Sequence, residues 1–299
     1  MTQIRLKLRI LIDCILSSIR DWRLVCKGQN VNAEILQIAH RLEKGLLIVN
    51  PRDYWGWEKA KALRDLIPQS ELTEGAIGRG VLYEFISEKK LSSNADERKM
   101  AETFVFPTAG NVIEGGKELL VKNQLSEKEK EQIKSFFFSR HSVRSFNDKP
   151  VSIDLLNDSI EIALRCPSAC NRQPFHVYVV NRHKKEKHIS NNSSIQADKY
   201  LYISGDISSF TPDEFNDWIV SPSIFIGYLV LALHLNGIGS CIIRKDLVHD
   251  SGYNKKVRDF CNIPKNEKLI IEIAIGNYDT GVVVPKSKRK DVNDIVTYL

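Results

Sequence analysis

SRHSVRSFNDKPVSIDLLNDSIEIALRCPSACNRQP, residues 139–174, is the densest run of ligand-binding residue types in the chain. Arg140, His141, Ser142 and Arg144 fall within five positions and offer fixed cations and a hydroxyl. Charge-assisted donors of that kind suit a phosphate. Pro167, Ser168, Asn171, Gln173 and Pro174 follow one short segment later. Asn and Gln each carry a donor and an acceptor, so together they can match the edge of a flat heteroaromatic ring. Between the clusters, Ile153, Leu156, Ile160, Ala163 and Leu164 recur at helical spacing, and Pro167 ends that helix.

Working outward, Ser126 with Glu129 forms a capping box that opens a helix through about Phe138. On the other side, FHVYVV at 175–180 is rich in β-branched and aromatic residues and predicts a strand. Further strands are expected at 200–204, 240–243 and 269–275. A helix is expected at 222–236, so apolar that it must be buried, and another around 253–261. Residues 184–199, with Lys184, Lys185 and Lys187, have the composition of a solvated surface. Strands interleaved with helices after residue 126 give a layered α+β domain.

The first third differs. Helices are expected at 32–49, with Asn32 as N-cap, and at 56–67 and 76–90, while 92–99 has loop composition. The boundary therefore falls near residue 125, giving a helical extension, 1–125, and a second domain, 126–299. His40, Glu43 and Lys44 share one helix face, the usual pattern of an ion-paired surface. At the start, Leu8, Leu11, Ile12, Ile15, Ile19 and Trp22 form an apolar stripe flanked by Arg5, Lys7, Arg9, Arg20 and Arg23. The expectation is a helix packed into the core rather than laid on a membrane surface. No run is expected to cross a membrane.

Composition narrows the function. A net charge of +6 over 299 residues fits an anionic ligand but is too dispersed for nucleic acid, and no nucleic-acid motif is present. The six cysteines match neither a zinc nor a disulfide pattern, which points to free thiols in a reducing cytoplasm. There is no G-x-G-x-x-G fingerprint with its acidic partner, no Walker loop, no H-E-x-x-H and no nucleophile elbow. No catalytic side chain and no metal ligand set is assigned. That absence has meaning if a cofactor carries the reaction.

The two clusters, RHSVR at 140–144 and PSACNRQP at 167–174, joined by a helix and feeding a strand, resemble the opening of the FMN-dependent nitroreductase family. Gly237 to Cys241, IEIAIGNY at 271–278 and the basic tail with Arg289 are similar as well, so the resemblance covers about 126–299. It implies an α+β layered fold with a central, mainly antiparallel sheet flanked by helices. Arg140, His141, Ser142 and Arg144 would hold the phosphate and ribityl side of FMN, and Arg289 would complete the phosphate cluster. Pro167, Ser168, Asn171 and Gln173 would approach the ring from the second protomer of a homodimer. Backbone near Ile243 would face the ring. The sequence departs from the family pattern at Ser221–Ser223 and at Arg244 and Lys245, segments that shape the substrate pocket.

The implied activity is oxidoreductase chemistry. NAD(P)H would reduce the flavin, and a small organic acceptor would then take the electrons in ping-pong turnover. One alternative is a flavin-binding or assembly protein with little turnover. Another is a different FMN reaction on this fold, such as reductive dehalogenation. HRLEKGL at 40–46 resembles an extension on nitroreductase-like proteins linked to bacterial surface-polysaccharide clusters, which connects the alternative to that biosynthesis.

Overall fold

The computed structural model describes residues 2–28, 30–70, 72–107, 110–190, 195–214, 216–243 and 252–299. The chain begins with α1 (Thr2–Val25), α2 (Val31–Leu46), α3 (Trp57–Leu66), α4 (Thr73–Lys90) and α5 (Ala95–Glu102). Ile35, Leu42, Trp57, Leu63, Leu82 and Phe85 pack as one cluster among α2, α3 and α4. Burying such side chains is worth about 1.5–3 kcal/mol each and holds these helices together. Two expectations need correction. The N-cap of α2 is Asn30, not Asn32, and its side chain accepts from Ala33 N at 2.8 Å. Residues 95–102 are helix rather than loop, because Asn94 caps Asp96 N and Glu97 N. Burial opposes the charge of Glu97, but donors from Lys89 (2.6 Å), Ser92 (2.7 Å) and Trp57 (3.1 Å) outweigh it and keep the carboxyl below its ordinary range. Gly45, a weak point in the helix by propensity, is needed where it stands. A Cβ there would lie 1.4 Å from the ring of Trp55.

After a stretch without regular elements come α6 (Glu127–Ser139), capped by Ser126 and Glu129 as expected, and α7 (Ile153–Ala163). Then follow β1 (Phe175–Asn181), α8 (Arg182–His188), β2 (Lys199–Asp206), α9 (Asp217–Leu235), β3 (Gly239–Ile243), α10 (Gly252–Cys261) and β4 (Glu267–Gly276). The four strands form one antiparallel sheet in the order β1-β2-β4-β3. The fold is thus α+β.

Strand alternation divides the sheet's core. Leu201, Ile203, Ile271, Ile273 and Ile275 face α7 and α9, meeting Leu156, Ala163, Phe225, Leu229 and Leu233. Tyr200, Tyr202 and Ala274 face the other side, with Ile189 and Val257. On that side the supposed solvated lysine run is helical, and Lys185 is buried. Its Nζ donates to Glu272 Oε1 at 2.6 Å and lies 3.5 Å from the centre of the Tyr200 ring. Tyr253 donates to the second Glu272 oxygen at 2.5 Å. Burial, with Glu272 nearby, raises the Tyr253 and Tyr202 hydroxyls above their ordinary range, so both stay protonated.

Two apolar helices differ from expectation. The helix α9 starts earlier than residue 222, contains Pro222, and is long and apolar enough to cross a membrane by length and composition. It is nevertheless a core helix along one face, while Val220, Ile224, Tyr228 and Leu235 are exposed on the other. The apolar stripe of α1 is not packed into the core at all. Leu8, Leu11, Ile12, Ile15, Leu16, Ile19 and Trp22 are all exposed. The last turns of α1 dock through buried Val25 and an ion pair from Asp21 to Lys268.

At its start α2 meets the end of β2. Asn30 Nδ2 donates to Asp206 Oδ2 at 2.8 Å, and its backbone N–H to Ser208 O at 2.9 Å. Gln37 of α2 reaches Arg172. With its amide oxygen turned toward the guanidinium, it accepts from Arg172 Nη2 at 2.5 Å and from Arg41 Nη2 at 3.2 Å.

Candidate functional site

The loop after α6 is laid across the ends of β3 and β4. Val143 N–H donates to Ser240 O at 3.0 Å, and Asn147 N–H to Asn277 O at 2.8 Å. Buried Val143 points the segment inward, and Phe146 lies against Gly276, where a Cβ would stand 2.8 Å from its ring. Arg140 and His141 are thereby held at the mouth of a cavity of about 170 Å³. The opposite wall is His234 at the end of α9, with Gly239, Ser240 and Tyr278. Among the described residues the lining holds one arginine, two histidines and no carboxylate. A cavity of that charge favours an anion. Its volume takes a phosphoryl group with a few carbon atoms, not a tricyclic ring as well.

His234 was not singled out from the sequence, although it stands just before the Gly237–Cys241 motif. Its Nε2–H donates to Ser139 Oγ at 2.9 Å, and Ser139 Oγ donates to Phe136 O at 2.9 Å. The Phe136 ring stacks on the imidazole at 5.0 Å. Burial, then the Arg140 charge, lowers its pKa below the ordinary 6.5. The unfolded chain therefore binds this proton more readily than the folded one. Stability should fall as pH drops through about 6.5 and be unaffected by this group well above it. His234→Gln, which can still donate to Ser139, is expected to remove that acid sensitivity. Denaturation midpoints of both proteins across this pH range check it, and parallel curves would contradict the assignment.

The remaining candidates are placed as follows. Ser142 is half-buried and Arg144 exposed, the Arg144 Nη1 donating to Ser142 O at 3.4 Å. Arg144 also opposes the burial that raises the Cys241 thiol. Ile243 is half-buried at the last position of β3, opposite Glu272. Arg244 and Lys245 lie outside the described residues. Arg289 is in the exposed tail, where its Nη1 donates to Ser287 O at 3.4 Å, and it does not line the cavity.

The second cluster forms a separate loop at the start of β1. Cys170, Asn171 and Gln173 have φ of 51°, 53° and 49°, left-handed conformations that cost a non-glycine residue about 1–2 kcal/mol each. Local bonds hold the loop: Asn171 N–H to Ser168 O at 3.0 Å, Gln173 N–H to Ser168 Oγ at 3.1 Å, and Ala169 N–H to Ser221 Oγ at 3.2 Å. Its anchor is Arg172, a residue the sequence reading passed over. The Arg172 side chain is fully buried and pairs with both oxygens of Glu214 at 2.8 and 2.7 Å. It also donates to Ser209 O at 3.2 Å and lies over the Phe210 ring. Pro167 and Asn171 are exposed, with Ser168 and Gln173 half-buried.

Among the described residues no hydrogen bond or shared cavity joins this loop to the Arg140 cavity. A larger cavity of about 510 Å³ lies between α2 and the loop, lined by Asn30, Gln173, His176, Asp206, Asn266 and Glu267, among others. Its carboxylates make it a poor phosphate site. Among the described residues no group of three or more metal-ligating side chains occurs, and Cys26, Cys166, Cys170, Cys241 and Cys261 are free thiols.

Comparison with known proteins bears on this segment. The model of the nitroreductase family matches residues 138–209. A Streptococcus pyogenes protein described as a candidate NAD(P)H nitroreductase is 38% identical over 66 residues, 21% of this chain. The chain spans about a third of the length of that relative, 33%. Two solved structures are similar: a nitroreductase with bound FMN from Bacteroides fragilis and a nitroreductase family protein from Streptococcus pneumoniae. The first is 20% identical with a TM-score of 0.47, covering 56% of this chain and 98% of that one. The second is 23% identical with a TM-score of 0.45, covering 56% and 100%. Motif and family model coincide on one stretch: residues 138–209, which contain both clusters, are what the nitroreductase family model matches.

Proposed function

We propose that the chain is an FMN-dependent oxidoreductase that passes electrons from NAD(P)H to a small organic acceptor. Residues 126–299 would form the flavin-binding domain and residues 1–125 a helical extension. The observation that carries this reading is the Arg140 cavity, whose lining among the described residues holds a guanidinium and no carboxylate. Its residues fit the phosphate end of FMN: Arg140 supplies charge and His141 a ring nitrogen, while Ser142 and Arg144, next along the same loop but outside the lining, would add a hydroxyl and a second cation. The cavity's small volume supports a ring that lies outside it, against Asn171 and Gln173 of a second protomer. FMN, when bound, would supply two-electron transfer between donor and acceptor. The chain's own part is to neutralise the phosphate, fix the ring edge and leave one ring face open to small molecules.

The test is the visible spectrum of the purified protein loaded with FMN, recorded before and after NAD(P)H is added without oxygen. Bleaching of the flavin band is expected. Bound flavin that NAD(P)H leaves unbleached would favour a flavin-binding protein with little turnover.

A further inference from the structure

The exposed face of α1 calls for a partner. At 100° per residue, Leu8, Leu11, Ile12, Ile15, Leu16, Ile19 and Trp22 fall within an arc of about 140°. Leu8, Leu11 and Leu16 are 55%, 55% and 60% exposed, and Trp22 is 50% exposed, so from Leu8 to Trp22 this is an apolar surface. Single exposed apolar residues need no explanation, but a contiguous patch of seven does. The opposite side of the last turns, Asp21 and Val25, is the part that docks on the body.

Charge decides what fits. The helix holds five basic residues, Arg5, Lys7, Arg9, Arg20 and Arg23, against two acids, Asp13 and Asp21, and no acid in its first turn. By helical spacing Arg9 and Arg20 fall just beyond one edge of the apolar arc and Lys7 about 40° beyond the other, while Arg5 and Arg23 fall within the arc, one before Leu8 and one after Trp22. Pairing with a second copy would bring like charges together, with Asp21 already tied to Lys268. An anionic lipid surface would satisfy the apolar arc and the basic borders at once. Seven charged residues in this helix make it one that lies on a bilayer rather than one that crosses it.

We propose that α1 is a membrane-surface anchor whose apolar face, Leu8 to Trp22, inserts between anionic lipid headgroups and holds the folded body at the bilayer.

The inference is independent of the flavin assignment, and so is its test. The full-length protein is sedimented with vesicles of phosphatidylcholine alone or of phosphatidylcholine and phosphatidylglycerol in equal parts. Binding to the mixed vesicles, little binding to the neutral ones, and release by high salt are expected. Ile15→Asp should lower the bound fraction roughly tenfold. Arg9→Glu with Arg20→Glu should do the same without touching the apolar face. Ile15 is half exposed, so far-UV circular dichroism should show the variant folded. Failure of the wild-type protein to bind the anionic vesicles, or equal binding by the variants, would overturn the proposal. A fall in oligomer mass on Ile15→Asp with no vesicle binding would assign the face to a second copy instead.

Discussion

Replacing Arg172 by alanine should lower the stability of the folded chain by about 3 kcal/mol, the scale for removing one partner of a buried ion pair. The guanidinium is wholly buried, pairs with both oxygens of Glu214 and meets Gln37 of α2. Its loss would strand the Glu214 carboxylate and remove the anchor from three left-handed residues, Cys170, Asn171 and Gln173. For a chain of this size the melting temperature should fall by roughly 5–10 °C. Amide exchange across 168–174 should quicken at the same time. The hydrogen bonds to Arg172 lower Glu214 to about 2, against burial that raises it. This pair therefore contributes fully above about pH 4.5, and its contribution is lost as pH falls through about 2. Arg172→Ala should lack that acid-dependent loss, a difference that titrated melts of the two proteins would register.

The second large effect concerns ligand retention. Arg140→Ala combined with Arg144→Ala removes the guanidinium charge at the mouth of the cavity and the one that follows it on the same loop. Two charge-assisted contacts at about 1.5–3 kcal/mol each imply a loss of at least a hundredfold in FMN affinity. Both side chains sit in a loop held by backbone bonds from Val143 and Asn147, so the fold should survive. Equal FMN affinity in the double variant and the wild type, measured by flavin fluorescence quenching, would refute the phosphate assignment. Arg289→Ala is the informative companion. It lies in the exposed tail away from the cavity, so an effect there would show that the tail is repositioned when the site fills.

Local signals made much of this structure legible. Helical periodicity and the Ser126 capping box gave α6 and α7, and β-branched runs located all four strands. What escaped the sequence was pairing over distance. Arg172 looked like one more polar loop residue, because Glu214 is 42 positions away. Lys185 sat in a basic run, and its partner Glu272 is 87 positions on. The apolar stripe of α1 was plain, but periodicity says which residues share a face, not what that face meets. His234 was hidden by its apolar helix. Only the return of Ser139 and Phe136 to the end of that helix gives it a role.

The central claim is that the Arg140 cavity holds a phosphate belonging to a flavin. Its most direct test compares FMN with riboflavin, the same ring and ribityl chain without the phosphate, by equilibrium titration of the purified protein. FMN should bind at least a hundredfold more tightly, the effect of losing the charge-assisted contacts. Equal affinity for the two, or binding of neither, would contradict the account.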